Sequence, residues 1–161
     1  MKKRTYPARY TVKVCFSRSF VVGDYVFASG CSGQILETFK VSSSDIIDQT
    51  EVALEKVRGT LEKAGTTMAH IVKMVIYLTN MEDHPRVEEK CQNYYRIHAP
   101  KFIDDPPAQT VICIPPLHEP DLLVEIDATA IKGMDYRFDR YEDGLAVFRV
   151  QCALWDKNST Q

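Results

Sequence analysis

The stretch Ile71-Val72-Lys73-Met74-Val75-Ile76-Tyr77-Leu78-Thr79 decides how this chain reads. Alternate residues of an extended strand point to opposite faces, so Val72, Met74, Ile76 and Leu78 share one face and Lys73, Val75, Tyr77 and Thr79 the other. One face is wholly apolar and the other largely so, which is the pattern of a strand buried on both sides. Upstream, the run Ser42-Ser43-Ser44-Asp45 offers N-caps, and Ile47, Thr50, Leu54, Val57 and Leu61 recur at helical spacing until Gly65 supplies a stop. Downstream, Pro85 suits a first helical position, and Val87, Cys91, Tyr94, Tyr95 and His98 fall on one helical stripe.

Extended segments flank these helices. Residues 10–15 alternate Tyr10, Val12 and Val14 against Thr11, Lys13 and Cys15. Residues 20–22, the Gly23-Asp24 turn and residues 25–29 read as a hairpin whose second strand is left through the permissive backbone Ser29-Gly30-Cys31-Ser32-Gly33. Residues 109–114 and 122–131 read as strands, separated by Pro115-Pro116 and the polar turn His118-Glu119-Pro120-Asp121. The predicted order is ββαβαββ, an α+β sheet with both helices on one face and no internal repeat of fixed period. A helix roughly 10 Å wide covers about two strands spaced about 4.8 Å, so two helices leave the other face of such a sheet bare. Val75, Tyr77, Val111, Cys113, Leu123 and Ile131 are assigned to one face, and Val72, Met74, Ile76, Ile112, Val124 and Ile126 to the opposite one. An apolar second face of that size predicts a small symmetric oligomer, the alternative being that the C-terminal segment folds back over it.

The domain is expected to span residues 1–131, with residues 132–161 as an extension. In that extension the alternation around Glu142-Asp143-Gly144 predicts a hairpin packed on the same domain. It reads either as a lid or interface arm or, preferably, as an edge pair extending the sheet. The 161 residues carry a formal charge of −2 with 45% hydrophobic content, which offers no field for nucleic acid or an anionic membrane surface. Lys2, Lys3, Arg4 and Arg9 are read as a solvated basic tail, with no apolar run behind them to make a secretory signal and no segment near the ~20 apolar residues of a membrane span. Five cysteines without CxxC spacing suit free thiols in a reducing, cytoplasmic setting. Four histidines stand singly without ligand-like spacing, so no metal is expected.

Several ordered segments together resemble the RidA/YjgF family: Ser17-Arg-Ser-Phe-Val-Val-Gly-Asp-Tyr-Val-Phe-Ala-Ser-Gly30, the helix over 49–65 with Ile71-Val-Lys-Met-Val-Ile-Tyr-Leu78 behind it, Pro107-Ala-Gln-Thr-Val111, and Leu123-Val-Glu-Ile-Asp-Ala128. The resemblance covers about residues 12 to 131. It implies a chorismate-mutase-like fold of the bacillus type, assembled as a homotrimeric barrel with helices outside and a small-molecule cleft at each subunit boundary. It also implies hydrolysis of a reactive imine or enamine, a 2-imino acid or aminomuconate-like compound, to a carbonyl product and ammonia without metal or cofactor.

On that resemblance Glu125 occupies the position of the strand glutamate that orients or activates water. Flanked by Val124 and Ile126, its carboxyl is open to an upward pKa shift by desolvation. Ser29 and Gly30 match the turn lining the cleft, and Gln109, Phe16 and Val111 complete the expected substrate-binding set. Two positions depart from the family's pattern: Gln109 stands where the deaminating members carry a carboxylate-clamping arginine, and Phe16 where they tend to carry tyrosine. Replacing a bidentate charge-assisted pair by an amide bond costs about 1 to 2 kcal/mol, roughly ten- to thirtyfold in affinity for an anionic ligand. Gln109 suits an amide, an enol or another uncharged ligand. The alternative to an enzyme is therefore a non-catalytic trimer that binds a small metabolite. A ribonuclease would need a basic groove with stacking aromatics, which the acidic balance opposes.

Overall fold

The structure, a computed structural model, describes residues 3–7, 16–133, 136–140 and 146–150. The first helix, α1 (Ile46–Lys63), starts where the serine-rich run ends: Asp45 is its extended N-cap, and Oδ1 of Asp45 accepts the Ile47 N–H at 2.7 Å. The helix stops at Gly65, whose φ of +83° suits a residue without Cβ. There the N–H groups of Thr66 and Gly65 close back on the carbonyls of Leu61 and Glu62, each at 3.0 Å, satisfying the last turn. The second helix, α2 (His84–His98), carries Pro85 as its second residue and buries Val87, Cys91, Tyr94 and Tyr95. His98, expected on that buried stripe, is exposed at the helix end with its ring 4.3 Å from that of Tyr94. An imidazole at a helix terminus keeps its nitrogens in water while resting on an aromatic neighbour.

Strands β1 (Lys3–Pro7), β2 (Ser17–Val22), β3 (Tyr25–Ser32), β4 (Ile71–Leu78), β5 (Ala108–Cys113) and β6 (Val124–Ile131) form one sheet in the order β1-β2-β3-β6-β4-β5. Only β4 and β5 run parallel, joined over α2, while the other neighbours are antiparallel. This is the α+β architecture expected, with both helices on one face. Met74, Ile76 and Leu78 of β4, Val124, Ile126, Ala128 and Ala130 of β6, and Val26 of β3 point to the helices and are buried beneath Leu54, Val57, Leu61, Val87 and Cys91. Each large side chain so covered contributes about 1.5 to 3 kcal/mol of burial. The Tyr95 hydroxyl donates to Sδ of Met74 at 3.3 Å and so ties α2 to β4.

Further expectations change, and one lies outside the described residues. The strand expected over 10–15 lies outside the described residues, and the Lys3–Arg4 segment, expected as a solvated tail, pairs antiparallel with β2 as β1. An open sheet edge offers unpaired backbone groups that any extended segment satisfies. The chain does not leave β3 at Ser29: a bulge there lets β3 continue to Ser32. In β5, Val111 pairs with Ile76 and Cys113 with Leu78 on the helix side, while Ile112 pairs with Tyr77 on the open side, the reverse of the assigned phase. Both alternating sets of β5 contain apolar residues, so periodicity could not choose between them. Finally, the C-terminal extension is a hairpin of β7 (Tyr136–Arg140) and β8 (Ala146–Val150), but it forms a separate two-stranded sheet. It follows β6, which already has β3 and β4 on its two sides, so no free edge lies beside it.

One buried polar side chain joins the start of α1 to the entry of β6. Gln49 is fully buried, donates through Nε2 to the carbonyls of Ser43 and Asp121 at 2.8 Å each, and accepts the Leu123 N–H on Oε1 at 2.9 Å. Gly33 packs so closely on it that an added Cβ would lie 2.6 Å from Cγ of Gln49. Gln49→Leu removes three hydrogen bonds and is expected to cost about 2 to 4 kcal/mol, read as a lowered urea midpoint. A loss below about 1 kcal/mol would show that these bonds do not hold the β6 entry.

Candidate active site on the open sheet face

The face turned away from the helices is built in rows. Glu125 lies across from Ser32 on β3 and Tyr77 on β4; Asp127 lies across from Val75; Thr129 lies across from Phe27, which in turn faces Phe20. Tyr25 and Phe27 stack at 6.3 Å and are 51% and 45% exposed, although both are large and apolar enough to favour cover.

The bulge in β3 is what brings the expected residues together. Ala28 pairs with Ala128 and Cys31 with Ile126, so Ser29 and Gly30 are set off from the regular ladder opposite Asp127. Gly30 thereby meets the Glu125 side chain: an added Cβ would lie 2.6 Å from Cδ of Glu125 and closer still to Oε1. A glycine is required here by the approach of a carboxylate. Ser29 Oγ donates to the Ser17 carbonyl, which fastens the bulge to the start of β2, next to the half-exposed Phe16. Ser29, Gly30, Phe16 and Glu125 therefore gather at one end of the sheet.

Gln109 and Val111 stand elsewhere in the same chain. Both lie on the helix side of edge strand β5, where Val111 packs against the core. Gln109 is exposed, and its Nε2 donates to Oε2 of Glu88 on α2 at 3.3 Å. Glu125 points to the opposite face, so within one chain the amide and the acid do not meet.

Electrostatics mark Glu125 as a perturbed group. Burial raises its pKa above the ordinary carboxylate value, and the neighbouring Asp127 raises it further, while His118 and Lys56 pull it down. Asp127 is raised by its own burial, offset in part by the Tyr77 hydroxyl, which donates to Oδ2 at 3.2 Å. Cys31 sits beneath the bulge with its thiol pushed up to about 11 by burial, so at neutral pH it is the uncharged form. The structure places Asp127, with Tyr77, beside Glu125. Tyr77 and Lys56 carried no signal in a single-residue scan. Lys56 could have been found on a second helical stripe, Gln49, Ala53, Lys56 and Thr60, whose other members are all buried. Among the described residues, no three His, Cys, Asp or Glu side chains converge as a metal site would need, and no helix is long and apolar enough to cross a membrane.

The sequence profile of the family described as Endoribonuclease L-PSP matches residues 7–132. The chain belongs to this family, which is also the RidA/YjgF family. Among its relatives, the RutC family protein PH0854 of Pyrococcus horikoshii is 29% identical over 117 residues, covering 73% of this chain and 86% of that protein. The 2-iminobutanoate/2-iminopropanoate deaminase of Dermatophagoides farinae is 25% identical over 81 residues, covering 50% of this chain and 63% of that enzyme. The crystal structure of Escherichia coli TdcF with bound serine superposes with a TM-score of 0.68 at 22% identity, covering 80% of this chain and 94% of that one.

The raised carboxyls carry a stability consequence of definite sign. A carboxyl whose pKa is raised by folding favours the native state most below the ordinary carboxylate value and loses that contribution as pH rises through the raised one. Glu125→Gln removes this share, so the fall in melting temperature between about pH 4 and pH 7 is expected to be shallower in the variant than in the parent. Thermal melts across that range that fall equally steeply in both proteins would show that Glu125 is not desolvated.

Proposed function

We propose that the chain is a RidA-like hydrolytic deaminase acting on a reactive imine or enamine, a 2-imino acid or aminomuconate-like compound, at a cleft shared between protomers of a homotrimer. The observation that carries this reading is the half-buried Glu125 carboxyl, raised in pKa and seated on the Gly30 bulge of an uncovered sheet face. A carboxylate with a pKa moved toward neutrality serves both as base and as acid. In the first step Glu125 accepts a proton from water as its oxygen bonds to the imine carbon and the C=N π pair moves to nitrogen. That proton passes from Glu125 to the nitrogen to give a carbinolamine. In the second step Glu125 takes the carbinol O–H proton and hands it to the nitrogen, the freed O–H electron pair forms the carbonyl as the C–N bond breaks, and ammonia leaves. Asp127 flanks the acid and adds to the upward shift of its pKa, and Tyr77 lies across from Glu125 with its hydroxyl on Asp127.

The opposed faces of Gln109 and Glu125 fit a cleft to which neighbouring protomers contribute different walls, the amide of one beside the acid of the next. The name of the Dermatophagoides farinae relative supports the imine substrate class, and the serine held by TdcF accords with a ligand of amino-acid size. The free thiols of Cys31, Cys91 and Cys113 suit action in the reducing cytoplasm. A second reading, a trimer that binds a metabolite without turnover, is favoured by one observation: the side chain at 109 is an uncharged amide held by Glu88. The carboxylates of Glu125 and Asp127 on the open face would repel a phosphate backbone and count against ribonuclease action.

Purified protein is expected to speed ammonia release from freshly generated 2-iminopropanoate, and Glu125→Gln to lower that rate by about 10²- to 10⁴-fold. No acceleration by the parent, together with acceleration by Gln109→Arg, would place the native chain outside the 2-imino acid class and leave the binding reading in its place.

A further inference from the structure

Among the described residues, Lys56 differs from the other lysines in bonding two backbone carbonyls at the end of a core strand. From α1 its Nζ donates to the Ser32 carbonyl at 2.8 Å and to the Gln34 carbonyl at 2.9 Å, spanning the end of β3 directly after the bulge. Ser32 is the β3 residue paired with Glu125. An ammonium has three donors, and one that commits two of them to backbone carbonyls is located rather than free to follow solvent. The stripe Gln49, Ala53, Lys56, Thr60 aims it at this place, next to Gln49, which holds the other end of the loop structure around β6.

We propose that Lys56 is a positioning residue for Glu125: by gripping the carbonyls of Ser32 and Gln34 it fixes the strand end, directly after the bulge, against which the carboxylate is paired. This deepens the reading of Glu125 as the reacting acid and rests on it. The groups that face the pair come from every neighbouring element: Asp127 on β6, Tyr77 on β4, His118 in the loop before β6, Cys31 on β3 and Arg18 on β2. Besides burial, Asp127 raises the Glu125 pKa, and His118 and Lys56 lower it. His118 is exposed in its loop, whereas Lys56 is held at the end of β3 by its two carbonyl bonds. Burial lowers the Lys56 amine to about 8, with Arg18 acting in the same direction and Cys31 and Glu125 opposing. The ammonium that holds this strand end is therefore present at neutral pH and discharged in moderately alkaline solution.

The test needs no substrate, so its outcome is separate from that of the turnover assay. Protein labelled with ¹³C at glutamate Cδ is titrated by NMR, with the Glu125 signal assigned by its absence in Glu125→Gln. In Lys56→Met the Glu125 midpoint is expected to rise by about half a pH unit or more, and in Lys56→Arg to return toward the parent value. In the parent protein the same Glu125 signal is expected to show a second inflection as the Lys56 amine discharges near pH 8. A folded Lys56→Met protein whose Glu125 titrates as in the parent overturns the proposal. If that variant does not fold, the absence of the second inflection in the parent overturns it instead.

Discussion

Two helices cover one face of this sheet and no more, and the rest of the structure follows from that limit. Leu54, Val57 and Leu61 of α1 and Val87, Cys91 and Tyr95 of α2 seal the side bearing Met74, Ile76, Val124 and Ile126. On the other side Tyr25, Phe27 and Ile112 are more than a third exposed, in the same field as Glu125, Asp127 and Tyr77. A sheet face with this mixture is poorly suited to water: its aromatics favour cover, and its carboxyls are already desolvated before any neighbour arrives. On the proposed trimeric reading that tension is the functional device, because cover by copies of the chain turns a half-buried acid into one wall of a closed reaction site.

The local architecture sets where that acid stands. Gln49 holds the entry of β6, the bulge at Ser29-Gly30 opens room for the Glu125 carboxylate, and Ser29 fastens the bulge to β2. None of these features increases burial. Gln49 and Lys56 are polar groups on a helix face that apolar residues could have filled, and both direct their hydrogen bonds at the strand ends that frame Glu125. Structures tend to accept such local costs near functional groups, and a glycine forced by the approach of a carboxylate is one example.

Much of the fold was legible because its signals are periodic and local. The double-sided apolar strand at 71–78, the capped helix ending at Gly65 and the Pro85 helix each depend on spacing within one element, and each stands where expected. Phase and pairing were not legible in the same way. Val111 and Cys113 fell on the helix side because parallel pairing with β4 chose between two apolar sets that alternation leaves equal. The small residues at 29–30 suggested a strand exit, yet ladder bonds resumed beyond them as a bulge. Glu125, Ser29 and Gly30, expected from the family resemblance, lie together at one end of the sheet, with Phe16 at the neighbouring strand end. Tyr77 was legible only as a face residue of its strand, and Lys56 only as the charged member of a buried helical stripe, because their proximity to Glu125 depends on how separate elements pack.

On the proposed trimeric reading, copies of this chain cover the open face. Multi-angle light scattering on a dilution series measures it most directly. The account predicts a molar mass three times the 18.4 kDa of one chain, held on dilution to low micromolar concentration. A mass of 18.4 kDa throughout, with the aromatics of β3 and the Glu125 carboxyl left to bulk water, would contradict it.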